Sequence, residues 1–207
     1  CRTRRCFQRL TPWQTFDVSR KNQIVLDERR VARILGDFFR SKGFDSSKRL
    51  NLFNHAVDDV LERTLITDLA IHPIARKGIR TLAQIRHDQD IFQAAGNRID
   101  QFISDLRTIC VFPSINEPGW NEDFNPNPMA GVAIEIENAK SKYFLGSLLA
   151  PSVAGRWGLL IVPDSRFTDF WINTVRRMVA KGGKSPIPPN VIIIKWPALE
   201  SYINQNG

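Results

Sequence analysis

Two glutamates spaced two residues apart are the most chemically suggestive feature of this sequence. Glu135 and Glu137 lie in Gly131–Asn138, which reads Gly-Val-Ala-Ile-Glu-Ile-Glu-Asn. The alternation predicts a β-strand that places both carboxylates on one face. Burying an ionised carboxylate costs several kcal/mol unless a cation compensates it, and two neighbouring carboxylates also repel each other. A proton or a metal ion is the usual remedy, and Mg²⁺ favours carboxylate oxygens with an open water position.

The residues on either side of this strand extend the candidate site. Lys140 and Lys142 fall in the first turn of the next predicted helix, where cations oppose the helix dipole unless an anion lies nearby. Carboxylates or a phosphate would satisfy them. The proline-rich segment before the strand is expected to be a loop that could bring another acid beside Glu135. Its acidic residues are Glu117, Glu122 and Asp123.

Hydrophobic periodicity predicts the elements that hold the strand. An amphipathic helix is expected from the N-cap Asp27 to a stop at Gly43. Residues 71–85 are mixed and suggest a basic loop and a short helix. Pro151 is expected to end or kink the helix in which it lies. Further helices are predicted at about 50–65, 88–109, 139–150 and 167–179, and strands at 131–138, 157–162 and 191–194.

The order of these elements predicts the fold class. From residue 131 onward strands and helices alternate, which is typical of a covered, largely parallel sheet with right-handed crossovers. We therefore predict an α/β fold with a mixed, largely parallel central sheet flanked by helices. Residues 1–112 are expected to form an N-terminal arm and helical region packed on the core. Residues 113–207 are expected to form the α/β core.

Composition indicates a globular protein with a polyanionic partner. The chain has 207 residues, of which 43% are hydrophobic, and a net charge of +8. Nucleic acid is the commonest partner of such a basic protein, although the charge is also compatible with an ordinary basic surface. Three cysteines are too few for a disulfide framework, so we expect a reducing, cytoplasmic location. No apolar run is long enough to span a membrane, so no membrane partner is expected.

The acidic strand, the helix after it and the following apolar strand resemble the catalytic half of PD-(D/E)xK restriction-endonuclease-like nucleases. The resemblance covers residues 117–196 and is greatest to the variant in which a second acid replaces the lysine. It implies a mixed sheet flanked by helices, Mg²⁺ as cofactor and hydrolysis of DNA phosphodiester bonds. It makes Glu135 a metal ligand and gives Glu137 the position that orients or activates water.

The chain departs from the family pattern before the strand, where no Pro-Asp pair occurs at the usual place. Asp123 is the best candidate for the remaining metal ligand, ahead of Glu122 and Glu117. Lys140 is assigned the missing positive charge, although its spacing differs from that of the family. Helical glutamates sometimes approach the site in this fold, and Glu28 or Glu62 would be that residue, but neither is included in the predicted site.

We therefore expect a Mg²⁺-dependent endonuclease, of the type II restriction class, that acts on double-stranded DNA as a homodimer. The basic residues expected to contact the DNA backbone are Arg76, Lys77, Arg80, Lys142, Arg176, Arg177, Lys181 and Lys184. A non-catalytic DNA-binding or assembly module on the same fold is the alternative function. The two glutamates would also be explained by an exposed edge strand whose acids pair with Lys140 or Lys142.

Overall fold

The computed structural model describes residues 25–51, 66–72, 89–112, 130–138 and 144–207. Five strands in these residues form one sheet, in the order β1-β2-β3-β4-β5. None of the described helices is long and apolar enough to cross a membrane. The elements in chain order are α1 (Glu28–Ser41), β1 (Asp45–Asn51), β2 (Ile66–His72), α2 (Gln89–Arg107), β3 (Ala130–Ile136), α3 (Phe144–Ala154), β4 (Gly155–Val162), α4 (Arg166–Ala180), β5 (Val191–Lys195) and α5 (Trp196–Asn206).

The sheet is mixed, with one antiparallel half and one parallel half. Strands β1, β2 and β3 pair antiparallel, whereas β3, β4 and β5 pair parallel. The predicted α/β architecture with a mixed sheet flanked by helices is confirmed. The sheet is less parallel than predicted, because the chain before residue 113 contributes two antiparallel strands.

Those two strands are where the structure departs most from the sequence prediction. Leu50 and Asn51, expected to begin a helix, end β1, and Ile71 and His72, expected in a loop, end β2. Neither strand shows the alternation of apolar and polar residues that identifies β3. β1 reads Asp-Ser-Ser-Lys-Arg-Leu-Asn and lies at the edge of the sheet, where few buried side chains are required. The region 1–112 is therefore not only helical, and its strands share one sheet with the strands of 113–207.

Helices cover both faces of the sheet and bury a core on each. On one face α1, α2 and α5 pack against β2, β3, β4 and β5, with Phe39, Phe102 and Ile134 among the buried side chains. On the other face α3 and α4 pack against β4 and β5, around Leu148, Leu160 and Ile172. Burial of side chains on both faces explains why residues 157–162 of β4 are continuously apolar rather than alternating.

The ends of the first helix follow the sequence signals. The Asp27 carboxylate accepts a hydrogen bond of 3.2 Å from the backbone N–H of Arg30, which caps the amino end of α1. After α1, Gly43 has a φ of +78°, and its N–H donates to the carbonyl of Arg40 at 2.9 Å. Glycine adopts this left-handed conformation at little cost, so the predicted stop at Gly43 is confirmed.

Helix α3 passes directly into β4 without a connecting loop. The helix continues through Pro151 to Ala154, so Pro151 does not end it, and the alternative that Pro151 kinks the helix stays a prediction. Gly155 then starts β4 in a place where a Cβ atom would lie 2.2 Å from the carbonyl oxygen of Trp157. The buried Asn190 side chain donates to the Ser152 carbonyl at 2.8 Å and so secures this junction. Helix α5 was not among the predicted elements.

Candidate functional site

The predicted acidic strand is β3, and it lies inside the sheet. Hydrogen-bonded pairing places Glu135 beside Leu160 of β4, while β2 flanks β3 on the other side. An exposed edge strand is therefore the wrong explanation for the two glutamates. Glu135 is half-buried, and Glu137 follows the last residue of the strand. Both lie at the end of the sheet where the parallel strands β3, β4 and β5 finish, here named the carboxyl end.

Strand β2 supplies an acid that the sequence analysis did not single out. Leu69 pairs with Ile134 in the antiparallel register, so Asp68 lies opposite Glu135 one position further along. The Asp68 carboxylate also accepts a hydrogen bond of 2.8 Å from the backbone N–H of Ile136. Asp68 is thus fixed next to Glu135 by the pairing of two strands that lie more than 60 residues apart in sequence.

The environment of Glu135 disfavours its charged form. Burial is the largest cause, followed by repulsion from Asp68, Glu137 and Glu28, and together they raise the pKa of Glu135 to about 8. A hydrogen bond from the Asp68 backbone acts in the opposite direction. One carboxylate oxygen of Glu135, Oε2, is buried and has no hydrogen-bond partner among the described residues. Such an oxygen is costly unless a proton or a cation satisfies it.

Glu137 is held in place by the neighbouring strand and helix. Its backbone N–H donates to the Ile161 carbonyl at 2.9 Å, which extends the pairing of β3 with β4 by one residue. The hydroxyl of Ser147, a buried residue of α3, donates a hydrogen bond to the Glu137 carboxylate. This hydrogen bond fixes the orientation of the Glu137 carboxylate at the end of β3.

Asn138 attaches the start of α1 to the end of β3. Its side-chain oxygen accepts from the Leu26 N–H at 2.6 Å, and its amide nitrogen donates to the Leu26 carbonyl at 3.1 Å. The same nitrogen donates to the Glu28 carboxylate at 2.9 Å. Glu28, which the sequence analysis mentioned but did not include, therefore lies at the carboxyl end with the other acids. Glu28, Asp68, Glu135 and Glu137 are here named the acidic cluster.

Lys195 lies at the same end of the sheet but is committed to ion pairs. It pairs with Val162 at the ends of β5 and β4, and its ammonium group lies 2.6 Å from both Asp164 and Asp169. Burial alone would lower the pKa of Lys195, but the hydrogen bonds and charges of the two aspartates outweigh it and raise the pKa. This cation stabilises the start of α4 and does not neutralise the acidic cluster.

The carboxylates of the acidic cluster are suitable ligands for a divalent cation, but they are not yet arranged as a complete metal site. Carboxylate oxygens are the ligands that Mg²⁺ prefers. Oε2 of Glu135, which has no hydrogen-bond partner among the described residues, could serve as one of them. Within the described part of the chain, however, no group of three acidic, histidine or cysteine side chains is arranged to hold a metal ion. Asp68 and Glu137 each accept a hydrogen bond from the protein instead.

Several predicted site residues lie outside the described residues, and their assignments stay predictions. They are the proposed ligand Asp123, the proposed catalytic Lys140, and the proposed DNA contacts Arg76, Lys77, Arg80 and Lys142.

The four predicted DNA contacts that are described lie away from the acidic cluster. Arg176 and Arg177 are in the last turns of α4, and Lys181 and Lys184 follow the helix. Helix α4 starts at the carboxyl end and is about 20 Å long, so these cations lie near the opposite end of the sheet. Arg176 in addition donates to the Val111 carbonyl at 3.1 Å.

Comparison with known proteins identifies no relative of this chain. No family model matches it, and neither a curated protein nor a solved structure matches it.

Proposed function

We propose that this protein is a metal-dependent endonuclease that hydrolyses phosphodiester bonds of DNA. The observation that carries the proposal is the acidic cluster, in which the buried, unpaired oxygen of Glu135 lies among three further carboxylates. A structural protein would gain stability from an apolar or amide side chain at position 135, because a carboxylate there is penalised. Retaining such a destabilising group is characteristic of functional sites.

The order of the elements supports the same proposal. The acidic strand β3 is followed by helix α3 and then by the apolar strand β4, which pairs parallel with β3, and this is the order on which the resemblance to the nucleases rests. Asp68 and Glu135 lie on the neighbouring strands β2 and β3 inside a mixed sheet flanked by helices, which is the architecture that the resemblance to restriction-endonuclease-like nucleases implies. Asp68, on the strand next to Glu135, takes the role that the sequence analysis gave to Asp123 as the first choice for a further metal ligand.

The residues of the acidic cluster have separate proposed roles. Glu135 and Asp68 would hold the cation, and Glu137, oriented by the Ser147 hydroxyl, would complete the ligand set and position water. Lys140, beyond the described residues, remains the proposed source of positive charge. A bound Mg²⁺ would supply the charge that activates water and stabilises the transition state of an in-line displacement. Type II restriction activity on duplex DNA by a homodimer, with one site for each strand, is part of this proposal.

Plasmid cleavage tests the proposal directly. The purified protein is incubated with supercoiled and linear DNA in Mg²⁺ and, separately, in EDTA. Glu135→Gln and Asp68→Asn should each lower the cleavage rate by at least about 100-fold. Asp105→Asn, an exposed site on α2, is the matched control and should cut like the parent. If the parent cuts neither substrate with Mg²⁺ or Mn²⁺, or if both variants cut normally, the proposal is wrong.

A non-catalytic DNA-binding module is the second candidate. It is favoured by the finding that Asp68 and Glu137 are engaged by protein donors and that no described group of three ligands is preformed. It predicts DNA binding that does not change with Mg²⁺. Isothermal titration with Mg²⁺ separates the two candidates, because only the nuclease requires binding that Glu135→Gln abolishes.

A further inference from the structure

Three exposed arginines near the starts of two helices have no partner in the described part of the chain. Arg29 and Arg33 lie one turn apart on α1, and Arg166 is the first residue of α4. Neither a hydrogen bond nor an ion pair engages any of them among the described residues. Their neighbour Arg30 differs, since its guanidinium lies 3.5 Å from the Glu200 carboxylate.

The positions of two of these arginines are unfavourable for their own helices. A cation in the first turn opposes the helix dipole, and Arg29 and Arg166 both lie there. At the other end of α4, Arg177 lies in the last turn, where a cation complements the dipole. Arg177 therefore has a structural explanation within its own helix, whereas Arg29 and Arg166 do not. Residues that break a local rule without local compensation mark candidate functional positions.

Both helices start at the carboxyl end of the sheet. For α1, the hydrogen bond from Asn138 to Glu28 fixes this, and Arg29 is the next residue. For α4, the ion pair between Asp169 and Lys195 fixes it. Helix α1 covers one face of the sheet and α4 covers the other. The arginines therefore flank the acidic cluster from both sides of the sheet.

We infer that Arg29, Arg33 and Arg166 bind the phosphodiester backbone of duplex DNA on either side of the acidic cluster. This inference rests on the proposed function and identifies how its substrate is held. The acidic cluster by itself repels a polyanion, so the backbone needs cations beside the cluster to approach it. Arginine is suited to this task because its guanidinium forms bidentate hydrogen bonds to phosphate. The inference moves the DNA contacts from the far end of α4 to the carboxyl end.

The salt dependence of DNA binding tests this assignment. Binding of the full chain to a fluorescein-labelled duplex is followed by anisotropy in EDTA, which prevents cleavage, over a range of salt concentrations. The variant Arg29→Gln/Arg33→Gln/Arg166→Gln should reduce the slope of log Kd against log salt by roughly 2 to 3, at about 0.9 for each phosphate contact. The control Arg177→Gln/Lys181→Gln/Lys184→Gln removes the same charge at the far end and should keep the slope of the parent.

Three outcomes overturn the inference. They are a parental slope in the arginine variant, an equal loss in the control, and tighter binding of a duplex RNA of the same length than of the DNA. Circular dichroism checks that each triple variant is folded. If one is not, its three single substitutions are measured in its place. Cleavage is read separately. A parent that binds with the expected slope but does not cleave DNA in Mg²⁺ refutes the nuclease and leaves the backbone contacts supported.

Discussion

Replacing Glu135 by glutamine should stabilise the metal-free protein, and the gain should grow with pH. The ordinary pKa of the carboxyl group is 4.5, and the folded protein raises it to about 8. Below about pH 4.5 the group is protonated in both the folded and the unfolded chain. Between these two values the unfolded chain ionises and the folded chain does not, so the free energy of unfolding of the parent falls. Above about pH 8 the loss reaches a plateau.

The size of the effect follows from the two pKa values. Each tenfold change in proton affinity corresponds to about 1.4 kcal/mol, so the complete loss is at most roughly 5 kcal/mol. Between pH 5 and pH 8 the difference between Glu135→Gln and the parent should increase by roughly 3 to 4 kcal/mol. Glutamine keeps the shape of the protonated acid but cannot ionise, so the titrating groups that do not interact with Glu135 cancel in the comparison.

Urea unfolding in EDTA at pH 5, 6, 7 and 8 measures this difference. Glu200→Gln is the matched control, because Glu200 forms a surface ion pair with Arg30, and a pair of this kind contributes little to stability, so this variant should unfold close to the parent. Adding Mg²⁺ at pH 8 should stabilise the parent and leave Glu135→Gln unchanged. Parallel pH profiles for the parent and Glu135→Gln would refute the reasoning, since they would show that Glu135 titrates normally in the folded state.

Two further predictions concern stability away from the site. The Asp100 carboxylate lies 2.6 Å from the buried guanidinium of Arg156, and Asp100→Ala removes it. The free energy of unfolding measured in urea should fall by roughly 3 kcal/mol. The control Asp105→Ala should lose less than about 0.5 kcal/mol. If Asp100→Ala had the same free energy of unfolding as the parent, the pair of Asp100 with Arg156 would not stabilise the fold. Gly155→Ala would force a Cβ to 2.2 Å from a backbone oxygen and should lower the melting temperature by many degrees. Gly146→Ala meets no atom of the described residues within 4 Å and should be neutral or slightly stabilising. Equal melting temperatures for these two variants would show that the junction of α3 and β4 is more adaptable than described.

The sequence was sufficient to predict the elements whose signals are local. β3 alternates in sequence, residues 157–162 of β4 and 191–194 of β5 are continuously apolar, and Asp27 and Gly43 carry the cap and stop signals of α1. These predictions are confirmed. β1 and β2 were not predicted, because they are stabilised by pairing in the sheet and their sequences do not alternate. Strand propensity depends strongly on such neighbours.

The same limit explains which site residues were found. Glu135 and Glu137 are recognisable because their spacing is local, but Asp68 becomes their neighbour only through the register that pairs Leu69 with Ile134. Nothing in the residues around Asp68 indicates that register. One partial signal was present, since Ile66–His72 combines β-branched residues with a single acid. Glu28 likewise reaches the site through Asn138, a contact that spans 110 positions.

The attachment of Leu26 to Asn138 also bears on how the chain is made. These residues are separated by 112 positions, so the start of α1 cannot be secured until residue 138 has left the ribosome. At ordinary elongation rates this interval lasts on the order of 10 s. During it the apolar side of α1, which includes Phe38 and Phe39, lacks the strand β3 on which it finally packs. Helix α1 is therefore exposed to aggregation during synthesis for longer than the described helices that follow β3.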